Sequence, residues 1–229
     1  MIHSFDRLGE GMDDPYGDET GQMGGGEENE RCYNGFNYHI LGWHATQTTI
    51  IHPASLEKNK SKKYQLHGIA DVADGGIVNI KVGEYFITYN QVKGFNGEAF
   101  VDYPNSVLIH KGLDIRFGAA IDGHDTDTIL VQNLKNVGWK YTVDNFQETG
   151  QKLTIELCQI DKTGSNGVVL SIGLNAGCNS ANTFGAVENP TGIEAIQDGV
   201  WTSSISGETN DVIEFKLENV PMDATAVQC

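Results

Sequence analysis

No run of eighteen apolar residues occurs anywhere in this 229-residue chain, so no segment reads as a membrane-spanning helix. Basic side chains are scarce: 15 Lys and Arg stand against 31 Asp and Glu, a formal charge of -16. That balance repels phosphate backbones and anionic headgroups, which argues against nucleic acid and membrane surfaces as partners. No C-x-x-C pair is present, so a zinc knuckle or a thioredoxin-like site has no support. The sequence also lacks a G-x-S-x-G elbow and a phosphate-binding glycine loop, which leaves serine-hydrolase and nucleotide chemistry without a basis. No basic segment followed by an apolar stretch opens the chain, so it shows no signal peptide as it stands.

What is present begins with 28 glycines, a sign of many turns. Four cysteines are widely spaced. Two disulfides fit a secreted domain and four buried thiols a cytosolic one; the even number favours disulfides. Of the three possible connectivities, Cys158 with Cys178 is preferred because the two flank adjacent predicted strands, which leaves Cys32 for Cys229.

Residues 1 to 31 are polar, acidic and glycine-rich, and read as a long irregular segment. In ERCYNGFNYHILGW, Tyr33, Phe36 and Ile40, with Leu41 beside them, space out one face of a short amphipathic helix, and Gly42 is its stop. Short runs rich in β-branched and aromatic residues follow: QTTII, YQLHGIA, GIVNIKV, EYFITYN, SVLIHK and DTILVQNL. A second group is WKYTV, KLTIELCQI, GVVLSIGL and VIEFKLE, with KTGSNG as a hairpin break. The expected fold is mostly β with a short helix, ending in an antiparallel β-sandwich-like region. A domain boundary is placed near Leu134 to Gly138, giving domains 1-134 and 135-229. The lysine-rich run EKNKSKK at 57–63 reads as a solvated loop.

Three ordered stretches carry the sharpest signal. MIHS opens the chain, YGDETGQMG follows, and then comes RCYNGFNYHILGW. Together they resemble the gametolysin family of metzincin zinc endopeptidases, which end their zinc motif in G-x-x-H-S, continue into a Y-G-D-x-x-x-x-M-G turn, and then a C-[FY]-N-G…L-G-W helix. EYFITYNQVKGFNGEAFVDYPNSVLIHK is similar to a further family segment, so the resemblance spans roughly residues 1–112. It implies a partial metzincin catalytic subdomain over the first domain. It also implies His3 as the third zinc ligand, Met23 as the Met-turn residue, and Tyr16 and Asp18 as residues that shape the turn. In such enzymes H-E-x-x-H supplies two further histidines from one helix face and a Glu that serves as general base to a zinc-bound water. That segment would stand upstream of Met1, so the expectation is a truncated chain, inactive as given. The implied protein is a secreted enzyme, extracellular or in the cell wall, that cuts a protein or glycoprotein substrate and holds zinc.

Other residues are weighed beside that reading. DGHDTDT at 122–128 aligns Asp122, Asp125 and Asp127 as a conceivable calcium loop, but it has no Gly at the sixth position and no Glu at the twelfth. His39, His44, His52, His67, His110 and His124 lack H-x-x-x-H spacing and read as ordinary polar residues. Asn59-Lys60-Ser61 is a glycosylation sequon, usable in a secreted chain. The alternative function is a non-enzymatic extracellular binding or adhesion protein with a decayed peptidase domain. Exposed aromatics among Trp139, Tyr141 and Trp201 would be its binding surface.

Overall fold

A computed structural model describes residues 4–6, 17, 18, 20, 21, 32–69, 75–97, 103–112, 128–162 and 167–184. The chain divides into two units, and all of these belong to the first, Met1–Glu188 with Cys229. The described part is mostly β with one short helix.

The strands in chain order are β1 (Ser4–Asp6), β2 (Thr48–Ile51), β3 (Lys60–Leu66), β4 (Asn79–Val82), β5 (Tyr85–Asn90), β6 (Ser106–Gly112), β7 (Thr128–Leu134), β8 (Lys140–Val143), β9 (Leu153–Ile160), β10 (Val168–Leu174) and β11 (Ala181–Phe184). Six of them form one sheet in the order β1-β7-β6-β5-β4-β2. Its centre is antiparallel, while β1 with β7 and β2 with β4 are parallel pairs. The second sheet contains β10-β9-β8, and the parallel pair β11-β3 lies beside it, with β3 against β10. The expected strands that fall among the described residues recur, while VIEFKLE at 212–218 lies outside them. Ser4–Asp6, in the segment read as irregular, and Ala181–Phe184 are strands that were not expected. Lys60 to Lys63, read as loop, open β3, because Ser61 and Tyr64 are buried while the lysines between them reach outward.

The core sits between the two sheets. Tyr85, Ile87 and Tyr89 of β5 and Val107 and Ile109 of β6 meet Leu153, Ile155 and Leu157 of β9 and Leu170 and Ile172 of β10 in one cluster. Period-two alternation sends these side chains to one face and leaves the intervening ones for the other. The cluster contains residues on both sides of position 134, so the place expected as a domain boundary marks the passage from one sheet to the next within a shared core. The sandwich, expected from the last hundred residues alone, takes five of the six strands of one sheet from the first half of the chain, and parallel pairs stand among its antiparallel ones.

On the outer face of the six-stranded sheet lies the one α-helix among the described residues, α1 (Gly35–Leu41). Asn34 caps its start and Gly42, in the left-handed conformation, ends it as expected. The buried face differs from the periodic reading. Tyr33 lies outside the helix and Ile40 and Leu41 are exposed, while Asn37 and Tyr38 are buried. With only two turns and a start fixed by Asn34, the helix buries Gly35, Asn37 and Tyr38 and sets Phe36 edge-on against Phe86 of β5.

Candidate functional site: a buried polar layer beneath the helix

The alternation that points Tyr85, Ile87 and Tyr89 into the core turns Phe86, Thr88 and Asn90 toward α1. Cross-strand register then lines up Lys81, Phe86 and His110 in one row, and Asn79, Thr88 and Leu108 in the next. Between Ile109 and His110 the pairing with β7 slips by one residue at Val131, a bulge of the kind that re-aims a neighbouring side chain.

His110 is the centre of this layer. Its Nε2 lies 3.0 Å from Asp18 Oδ2, and neither side chain is exposed. Asp18 Oδ1 accepts from the Thr20 backbone N–H at 3.1 Å and from the Thr20 hydroxyl, closing a turn on its own chain. Thr20 Oγ1 also stands 3.5 Å from His110 Nε2. The other ring nitrogen, Nδ1, is buried with no hydrogen-bond partner. Asp18 therefore ties residues 17, 18, 20 and 21 to β6.

Asparagines continue the layer. Asn34 Oδ1 accepts from the Asn37 N–H at 3.1 Å, and its Nδ2 donates to Thr128 Oγ1 at 2.9 Å. Asn79 Nδ2 donates to the Gly35 carbonyl at 3.0 Å. Glycine is needed at 35, since a Cβ there would fall 2.5 Å from Asn79 Oδ1. Asn96 Nδ2 donates to Asn90 Oδ1 at 2.8 Å and to the Gln91 carbonyl at 3.0 Å. Thr20, Asn34, Thr88, Asn90 and Asn96 on one hand and Ile69, Tyr89 and Leu108 on the other line a cavity of about 20 Å³, mixed in polarity and large enough for one water. Both amide atoms of Asn37 and Oδ1 of Asn79 are buried and unpartnered. Groups of that kind are rare in finished interiors and mark places where water or another ligand completes the bonding.

At the exposed side of the layer, Lys81 Nζ lies 3.0 Å from His39 Nε2 and over the Phe86 ring. Burial and then the Lys81 charge lower the His39 pKa to about 4, so the neutral imidazole accepts from the ammonium.

Of the residues singled out in the sequence, Asp18 is in this layer. His3, Tyr16, Met23, Trp201, Cys229 and Asp122, Asp125 and Asp127 lie outside the described residues. Among the described residues no group of three or more His, Cys, Asp or Glu could hold a metal, so they do not by themselves make up a zinc site. Cys158 and Cys178 form the expected disulfide. Cys32 is buried beside Tyr38, Ile69 and Val78. Tyr141 packs edge-on against Tyr85 at 5.8 Å between centroids, whereas Trp139 is 46% exposed beside Val137 at 56%. His39 and His44 serve separate partners, as their spacing requires: His44 Nδ1 is 2.9 Å from Gln47 Oε1.

Sequence reasoning missed His110, Thr20, Asn34 and Asn79. Asn34 had a local signal, an Asn just ahead of a helical period. His110 had one too, a polar residue in the apolar strand SVLIHK. Their convergence on Asp18 and α1 had none. No protein-family model, no curated protein and no solved structure matches this chain.

Proposed function

We propose that this chain is part of a secreted zinc-dependent metalloendopeptidase of the gametolysin type, one that cuts extracellular or cell-wall glycoproteins. The observation that carries the reading is where the family-like stretches meet. Asp18 comes from YGDETGQMG, Asn34 and Gly35 from RCYNGFNYHILGW, and Asn90, Asn96 and His110 from the later segment; all lie in one buried polar layer. Segments that only shared a composition would have no reason to fasten to one another through their motif residues. In this reading the layer is a frame: it fixes Asp18 and Thr20 against β6 and seats α1 on the sheet. The described residues do not complete a metal site, so the catalytic steps belong to a whole protein that also carries H-E-x-x-H. The disulfide suits the oxidising route that secretion implies.

The test is to read the native transcript upstream of the Met1 codon and to express what it encodes. An in-frame H-E-x-x-H-x-x-G, zinc bound at one equivalent, and peptide cleavage abolished by a chelator are the expected results. Unrelated coding sequence at that place, or a protein with the motif that binds no zinc, overturns the proposal.

One observation favours a second reading, a non-enzymatic binding or adhesion protein. Trp139 and Val137 form an exposed apolar pair at the head of β8. Retention on immobilised polysaccharide that is lost with Trp139→Ala, in a protein without zinc, would favour it over the enzyme.

A further inference from the structure

We propose that Asn59 carries an N-linked oligosaccharide and that it is attached before β3 docks onto the fold. The proposal rests on the secretory route in the reading above, and on two observations about the sequon. Asn59-Lys60-Ser61 is the one usable N-x-S/T in the chain, since the other, Asn189-Pro190-Thr191, is closed by its proline. Asn59 sits at the tip of a turn closed by the Lys60 N–H donating to the Glu57 carbonyl at 3.2 Å. Its φ of 58° is the left-handed value that Asn tolerates best after Gly. Its side chain is exposed, as are those of Glu57, Lys58 and Lys60 around it, so a sugar there covers no core and displaces no packed group.

The third sequon residue is in the opposite condition. Ser61 is buried, and its hydroxyl donates to the Gly177 carbonyl, 116 positions away, at 2.9 Å. Gly177 adjoins Cys178, whose disulfide to Cys158 fixes that carbonyl in place. An enzyme that must engage the Ser hydroxyl while modifying the Asn amide therefore meets an open sequon only in the unfolded or nascent chain. In the transfer, a bond forms between the Asn59 amide nitrogen and the anomeric carbon of a lipid-diphosphate-linked oligosaccharide. The carbon–oxygen bond to the diphosphate breaks, the lipid diphosphate leaves with the electron pair, and the amide proton passes to a base.

The test is to translate the full chain behind a cleavable secretion signal in the presence of endoplasmic-reticulum microsomes. A mass increase of one glycan is expected, removed by an amidase that converts Asn59 to Asp and absent from Asn59→Gln. Ser61→Thr, a stronger acceptor, is run beside it with an unrelated control glycoprotein. An unmodified natural chain while the control is glycosylated overturns the proposal, whether or not Ser61→Thr is modified. In a second arm, the folded, oxidised chain and a peptide of residues 55–65 are offered to solubilised transferase. Modification of the peptide alone is expected; modification of the folded chain overturns the order of events. Because the microsomes in one arm and the solubilised transferase in the other bring the enzyme to the sequon, both arms read the site independently of whether the natural protein is a peptidase.

Discussion

Asp18 and His110 stand 92 positions apart in the chain and meet, fully buried, with 3.0 Å between Oδ2 and Nε2. The contact joins a glycine-rich, irregular part of the sequence to the middle of a sheet. Asp18→Ala would leave a buried imidazole without its acceptor and release Thr20 as well. The expected loss is about 1–3 kcal/mol, the usual cost of leaving a buried polar group without its partner. Denaturant unfolding would measure it, and a loss under about 1 kcal/mol would remove this pair from any framing role. In a double-mutant cycle with His110→Phe, the two substitutions should be strongly non-additive.

Asn34 both caps α1 and reaches across to Thr128. Asn34→Ala is expected to cost about 1 kcal/mol for the cap and a similar amount for the second bond. Asn34→Asp keeps the acceptor for the Asn37 N–H but has no donor for Thr128, so it should recover only the first part. Equal losses for the two variants would show that the cap contributes nothing.

His39 supplies a pH dependence with a definite sign. Its folded-state pKa is lowered to about 4 from an ordinary value of 6.5, first by burial and then by Lys81. The unfolded chain therefore takes up a proton that the folded chain refuses between those two values. Stability from this residue is complete above pH 6.5 and falls as the pH drops toward 4. His39→Gln keeps an acceptor for Lys81 but does not titrate, so the wild-type protein should lose stability relative to this variant between pH 7 and pH 5. A difference in melting temperature that stays constant over that range would refute the assignment.

The disulfide closes a loop of 20 positions and holds the backbone of Cys178 where its N–H donates to Glu156 Oε2 at 3.0 Å. Replacing both cysteines by serine is expected to cost about 3 kcal/mol through the entropy of the unfolded chain. Amide exchange should quicken first at residues 177–184, whose attachment to β3 depends on that anchor. Uniform acceleration across β9 and β10 would instead mean that the bond supports the whole sheet.

Gly173 lets β10 and β3 approach. A Cβ at that position would strike the Lys60 carbonyl oxygen and come within 2.5 Å of the Ser61 Cα. Backbone cannot move aside as a side-chain tip can, so Gly173→Ala should destabilise by about 1–3 kcal/mol or more. Gly150→Ala, with no atom near its added Cβ, pays only for a positive φ and should cost less. If the two losses come out in the reverse order, β3 does not pack as closely as described.

Most of the described strands, the helix with its Gly42 stop, and the Cys158–Cys178 pair were legible in the sequence because each is a local matter. Period-two alternation, turn residues and strand-flanking cysteines act over a few positions. The lysines of β3 misled that reading because charge describes the exposed edge of a strand, whereas the burial of Ser61 and Tyr64 depends on β10, more than a hundred residues later. The shared core across residue 134, the bulge at Val131 and the meeting of Asp18, Asn34 and Asn79 around His110 were decided by tertiary structure alone. A buried polar group must find a partner wherever the fold brings one near. Nothing in the spacing of residues 18 and 110 announces which partner that will be.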